Sequence, residues 1–169
     1  MSSDTLLPSP MPEHSFQPKR FRIELTDGGF ADCEPDTSLG FPAVDVQWVE
    51  VPEGQRKSGK GAALFAAAAL ESEGKGAEVM FSEIGHPSAI GANFQAFGDE
   101  NLHFIRSDDE ADTEIGPMHF DEAKAMFDQV VGTDGGLRVV VSLKDPQVLE
   151  HASQYLESTG ITFTVVPLN

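Results

Sequence analysis

The stretch VDVQWVEVPEGQRKSGKGAALFAAAAL, residues 44–70, decides how the chain is read. Val44, Val46 and Trp48 alternate on one face of an extended segment, and Val49 and Val51 then take the opposite parity. Such a slip is what a β-bulge looks like in sequence, because one added residue re-aims every later side chain. A strand buried on both faces would carry the same residues without a bulge. Beyond Pro52 a short loop gathers Arg56, Lys57 and Lys60 among glycines, and Ala62–Glu73 then reads as a helix stopped at Gly74 and Gly76. That helix is nearly all Ala, Leu and Phe, so it is expected to be packed on most sides.

Strand, basic glycine turn and helix in direct succession make a cradle for an anion. A helix start presents unsatisfied N–H groups and partial positive charge. Gly59 and Gly61 let a diphosphate approach the backbone with no Cβ in the way. The side chains of Arg56 and Lys57 add favourable charge, on the order of 1 kcal/mol each when partly exposed.

Outward from this stretch, Phe21, Ile23 and Leu25 predict a strand that turns at Asp27-Gly28-Gly29, with Phe30 to Cys33 as its return. Residues 34–43 (EPDTSLGFPA) read as loop. Downstream, residues 77–84 predict a buried strand, 88–97 a helix opened by His86-Pro87, and 102–105 a strand. The run 107–114 (SDDEADTE) reads as an acidic loop. Residues 120–131 carry Phe120, Ala123, Phe127 and Val130/Val131 at helical spacing, with Asp121 and Glu122 in the favourable first turn. A strand over 137–143, a helix from Asp145-Pro146 to about Ser158 and a strand over 161–166 complete the series. Segments 79–98 and 139–160 share strand, Ser, Pro-opened helix and Gly stop, which two β-α-β units obeying the same capping rules would produce.

The 169 residues fit one domain over 19–169, preceded by a proline-rich flexible tail at 1–18. A net charge of −17 argues against nonspecific nucleic-acid binding and against anionic membrane surfaces. It is compatible with a solvated, repulsive surface and, more sharply, with a basic partner. The lone Cys33 forms no internal disulfide, no apolar run reaches the length of a membrane span, and a cytoplasmic location is expected. The five histidines show no i,i+4 pair, so no metal site is signalled.

Arg56-Lys57-Ser58-Gly59-Lys60-Gly61 resembles the Arg/Gln-x-x-Gly-x-Gly/Ala motif of the GNAT N-acyltransferase superfamily, and Val49-Glu50-Val51-Pro52-Glu53 resembles the strand end that precedes it there. The resemblance covers residues 20–105 and is most specific over 44–74. It implies an α/β (α+β) domain with a mixed, largely antiparallel sheet flanked by helices, and acyl-CoA lying between two splayed strands. Val49 and Val51 would pair with the pantetheine arm. Residues 56–61, Ser58 and Lys60 among them, would hold the pyrophosphate of acetyl-CoA or another acyl-CoA. The implied activity is acyl transfer to a primary amine on a cationic small molecule or protein, and a homodimer is compatible with the sequence.

Departures from the family pattern accompany the match. Its second helix often carries a tyrosine acid, where this chain has Phe94 and Phe97. Tyr155, the only tyrosine, lies in the last helix, either as that acid or as an amphipathic residue with its hydroxyl in solvent. Glu50 is the candidate general base if it is buried beside the acyl group, and otherwise an ordinary strand residue. The stretch before Phe21 is short for the elements that shape the family's acceptor site, so a non-catalytic GNAT-like binding or adaptor protein is the competing expectation. A second competitor is a nucleotide P-loop, since Gly54 to Lys60 fits G-x-x-x-x-G-K, but Gly61 stands where a Mg²⁺-holding hydroxyl is needed.

Overall fold

A computed structural model describes residues 19–53, 59–98, 100–107 and 112–168. The chain opens with a meander: β1 (Phe21–Leu25), β2 (Phe30–Asp36) and β3 (Ala43–Glu50), each antiparallel to the one before. Arg22 on β1 lies opposite Asp32 on β2 and forks onto its carboxylate at 2.6 and 3.1 Å. The same guanidinium stacks 4.1 Å from the centre of the Phe30 ring, so register is fixed by charge and by packing together.

Helix α1 (Lys60–Gly74) returns the chain so that β4 (Val79–Glu83) lies parallel to β3. Helix α2 (Pro87–Phe97), the hairpin β5 (Leu102–Ser107) and β6 (Asp112–Gly116), and α3 (Phe120–Val130) follow. Strand β7 (Gly136–Ser142) then inserts between β4 and β5. Helix α4 (Pro146–Thr159) carries the chain across to β8 (Phe163–Pro167), which pairs with β1 at the far edge. The eight strands form one sheet in the order β6-β5-β7-β4-β3-β2-β1-β8, in which β3 and β4 are the only parallel neighbours among the described residues. The expected α/β (α+β) domain with a mixed, largely antiparallel sheet is what forms.

One face of the sheet is apolar throughout. Phe21, Ile23, Ala31, Cys33, Val44, Val46, Met80, Leu102, Val139 and Val141 are all buried in a single cluster with the helices. Arg22, Glu24, Asp32, Glu34, Asp45 and Glu83 alternate with them, face the other way and are partly or fully exposed. Helix α1 lies across β1, β2 and β3, with α2 and α4 packed against it. Its residues 62–69 are all buried, as the alanine run leads one to expect. Small side chains let the helix sit close to the strands and to two neighbouring helices at once.

Two expectations from the sequence need correction. Residues 34–36 are strand, not loop. Glu34, Pro35 and Asp36 pair with Asp45, Val44 and Ala43, and β1 has already ended there, so Pro35 faces no neighbour that needs its missing N–H. Residues 112–114 also belong to a strand, β6. It is an edge strand with exposed charged side chains, a place that tolerates charge because only one side is paired. On α3, Phe120 and Val131 are exposed at 42% and 55%, while Ala123, Phe127 and Val130 face the core. Phe120 instead meets the edge of the Phe94 ring on α2 at 6.3 Å. The proposed tail, 1–18, lies outside the described residues.

Close seating of α1 makes its alanines intolerant of growth. Ala66→Leu, at a position with no exposure, is expected to cost about 1–3 kcal/mol of stability by overpacking, read from urea denaturation midpoints at unchanged m-value.

Candidate functional site

The site begins where β3 leaves β4. Their parallel ladder holds for four residue pairs, from Ala43↔Val79 to Val46↔Ser82. Strand β3 continues to Glu50, still paired with β2 through Trp48↔Asp32, Val49↔Ala31 and Glu50↔Phe30. Strand β4 meanwhile stays with β7 through Glu83↔Arg138, and Ile84 N–H donates to Leu137 O at 2.8 Å. Beyond Val46, then, no described strand pairs with β3 on its β4 side. The ladder ends there, one residue before β4 itself ends, and β3 runs on to Glu50 without a described strand beside it on that side.

A bulge marks the parting. Cys33 lies opposite Val46 and Asp32 opposite Trp48, so Gln47 is the extra residue. The parity change expected after Trp48 therefore comes one position earlier. Val44 and Val46 point into the core, Trp48 is 57% exposed, and Val49 and Val51 are partly buried against the core from beyond the bulge. The pairing of β2 with β3, which the sequence of β3 alone does not contain, decides where the extra residue sits.

At the end of this strand stands the start of α1. Gly59 is the N-cap with φ +85°, a left-handed conformation that favours glycine, and no side chain caps the helix. A Cβ on Gly59 would also lie 2.6 Å from the Tyr155 hydroxyl oxygen, so glycine is required there twice over. Gly61 differs: a Cβ would meet only the Ala92 Cβ at an ordinary 3.6 Å. The first intrahelical bond is Ala63 N–H to Gly59 O, so residues 60–62 form the helix mouth ahead of it. No acidic residue occupies the first turn. Lys60 reaches back to donate from Nζ to the Asp27 carbonyl at 3.0 Å, tying the turn between β1 and β2 to this helix. Arg56, Lys57 and Ser58 lie outside the described residues.

The candidate chemical groups fall in different places. Glu50 is exposed, with the Trp48 indole N–H directed at its carboxylate at 3.4 Å, so the burial expected of a general base is not there. Tyr155 is part-buried, and its hydroxyl donates to Gly59 O at 3.0 Å rather than lying in solvent. Burial pushes this phenol up from its ordinary pKa. Helix α2, not α4, follows the strand parallel to β3, and its Phe94 and Phe97 are buried. His86, which the sequence marks only as part of a helix opening, is the exposed N-cap of α2 just beyond β4. Its Nδ1 accepts the Ser88 N–H at 3.1 Å and lies 2.9 Å from Ser88 Oγ. Among the described residues no three His, Cys, Asp or Glu side chains gather as a metal site, and no helix is long and apolar enough to cross a membrane.

A second concavity, of about 390 Å³, opens on the helix-free face of β2 and β3 and is lined by Glu34, Asp36, Thr37, Ser38, Asp45 and Gln47. Burial pushes the Asp45 carboxyl up, Asp36, Glu34 and Glu83 add to the push, and Arg138 partly offsets it. Bonds from the Ser38 side chain and N–H hold Asp36 down instead. No sequence signal gathers these carboxylates, because β2 and β3 bring them together by register.

No known family model matches the chain, and no curated protein does. Among solved structures it is similar to a protein from Desulfovibrio desulfuricans assigned to the GNAT family of acetyltransferases. Identity is 12% over 68% of this chain and 60% of that one, with a TM-score of 0.38. It is also similar to nourseothricin acetyltransferase, at 18% identity over 73% of this chain and 65% of the other, with a TM-score of 0.42. The match spans less than two thirds of either protein's length. Both scores lie below 0.5.

The raised Asp45 carboxyl has a signed consequence. Its folded pKa lies above the unfolded value, so the folded state binds the proton more tightly and stability falls as pH rises through the raised value. Asp45→Asn is expected to be more stable than the parent at neutral pH. The advantage should shrink as pH falls through the ordinary carboxylate range, about pH 4, in a urea-denaturation series.

Proposed function

We propose that this chain is a CoA-dependent N-acyltransferase of GNAT type, moving an acyl group, acetyl first among candidates, to a cationic primary amine. The observation that carries it is the parting of β3 from β4 after four residue pairs, directly ahead of a glycine turn at an uncapped helix start. That arrangement offers an extended thiol-bearing arm a free strand edge, and offers a diphosphate a set of outward N–H groups at its end. The residues fit the group. Val49 and Val51 lie on the free edge, and Gly59, Lys60 and Gly61 form the helix mouth. The loop residues Arg56, Lys57 and Ser58, the first two basic, belong to the same segment by sequence.

Bound acyl-CoA supplies a thioester activated towards amines. The chain's own contribution is to hold the acyl carbonyl against the β3 edge, and to draw a cation by its charge of −17. Deprotonation of the incoming ammonium falls to water or to exposed Glu50.

The placement of the catalytic candidates favours a second reading, a binding protein on the same scaffold. Phe94 and Phe97 have no proton to give, Glu50 is exposed, and the Tyr155 proton is already directed at Gly59.

Thermal unfolding with and without acetyl-CoA tests the cofactor claim. At a hundredfold excess over Kd the protein should gain about 2.7 kcal/mol, or roughly 5–10 °C in Tm for a domain of this size. No shift at millimolar CoA would end the cofactor claim and the enzyme reading and leave the binding protein. Where a shift is seen, free-thiol release across an amine panel separates an enzyme from a CoA-binding protein without turnover. Gly61→Glu provides a sharp control. Its Cβ would make only an ordinary contact with the Ala92 Cβ, and the change gains helix propensity and places an acid in the first turn, so unliganded stability should hold or rise. The same carboxylate opposes a diphosphate, so CoA affinity should fall by about tenfold or more by calorimetry.

A further inference from the structure

Among the described residues, the helices share one apolar cluster with one face of the sheet, and the opposite face has no partner. Register lays out what that face presents along β2 and β3. Glu34 stands opposite Asp45, Asp32 opposite Trp48, and Phe30 opposite Glu50. Directly opposed residues of an antiparallel pair project from the same side, so Trp48, 57% exposed, rises among carboxylates. It is the only tryptophan of the chain. Arg22 is committed to Asp32, at 2.6 and 3.1 Å. Glu34 and Asp45 oppose each other as like charges, an arrangement that costs a sheet stability. With Asp36 they border the concavity of about 390 Å³. A guanidinium set between them would turn that repulsion into ion contacts.

We propose that this face of β2 and β3 docks an arginine-bearing basic segment of a partner protein, with Trp48 as the anchor. Charge decides among the candidate occupants. A second copy would bring the same carboxylates against themselves. Residues 1–18 hold Asp4 and Glu13 and no Lys or Arg, so they offer no complement either. Both devices on the face suit arginine over lysine. A guanidinium stacks flat on an indole, forks onto carboxylates and is less strongly hydrated than an ammonium. Size favours a segment over a small cation. Strand β2 runs seven residues, about 20 Å at the usual rise, so side chains along one extended segment can reach Trp48 and the Glu34–Asp45 pair together. Tryptophan is enriched among the residues that dominate protein interfaces. The proposal stands apart from the acyl-CoA reading, since a guanidinium is not the primary amine of that reaction.

The test titrates the full chain at low salt with an arginine hexapeptide and a lysine hexapeptide, following Trp48 emission and, in parallel, heat by calorimetry. The arginine peptide is expected to shift the emission saturably and to bind at least about threefold tighter than the lysine peptide. Glu34→Gln combined with Asp45→Asn removes the like-charge pair, so the variant is expected to fold, and urea midpoints check this. It should weaken the arginine peptide about 3–20-fold, the worth of two partly exposed ion pairs. Glu150→Gln combined with Glu157→Gln removes the same charge from exposed positions on α4, and should leave affinity unchanged within about twofold. Equal loss in the two double variants would reduce binding to the overall charge of −17 and overturn the proposal, as would no loss in either. Binding that leaves the Trp48 emission unmoved, a lysine peptide held as tightly as the arginine one, or no binding at all would overturn it too. No arm contains CoA, so the outcome is read independently of the cofactor claim.

Discussion

The architecture depends on how closely α1 can sit against β1, β2 and β3. A run of six alanines with Leu64 and Phe65, none exposed over residues 62–69, gives most of the helix a narrow profile, so strands, α2 and α4 can all touch it. Close packing of this kind has little slack, because interiors are as dense as organic crystals and a single extra methylene is felt. Once α1 is seated, the position of its first turn is settled to within a fraction of a residue. Gly59 at its mouth, Lys60 on the Asp27 carbonyl and Tyr155 on the Gly59 carbonyl are consequences of that seating.

The second constraint is the bulge at Gln47. A regular β3 could have stayed in register with β2 on one side and β4 on the other along its whole length. One extra residue bends it and increases its twist, and the ladder to β4 ends at Val46. The free edge of the sheet thus lies inside it, between two strands, rather than at its margin. An interior edge is shielded from pairing with other chains, while an extended ligand can still enter along the gap.

Charge is arranged by face rather than by element. Apolar residues on every strand of the meander point to the helices, and acids gather on the opposite side, where Glu34, Asp36 and Asp45 border one concavity. A surface so uniformly negative steers cations and repels copies of itself, and it does so without affecting the core. Asp32 has Arg22 as its close counter-ion, and that guanidinium is raised chiefly by the bond, so the pair pins the β1–β2 register where self-repulsion would otherwise loosen it.

What the sequence determined by itself was everything carried by short-range pattern. Alternation in residues 21–25, the Asp27-Gly28-Gly29 turn, the alanine helix and the Pro-opened starts of α2 and α4 are set within a few residues. Caps, turns and periodicity act over that distance. His86 and Asp145 do cap their helices, each followed by proline at the first helical position. The order of strand, glycine turn and helix at residues 44–70 was legible for the same reason. Tertiary structure alone decided the rest. Which residue bulges on β3 depends on pairing with β2. Whether 34–36 and 112–114 are strand depends on a neighbour being present on one side only. The place of Tyr155 depends on α4 crossing α1. Each is a contact between residues far apart in the chain, and the free energy that fixes it comes from the partner, which local sequence does not name.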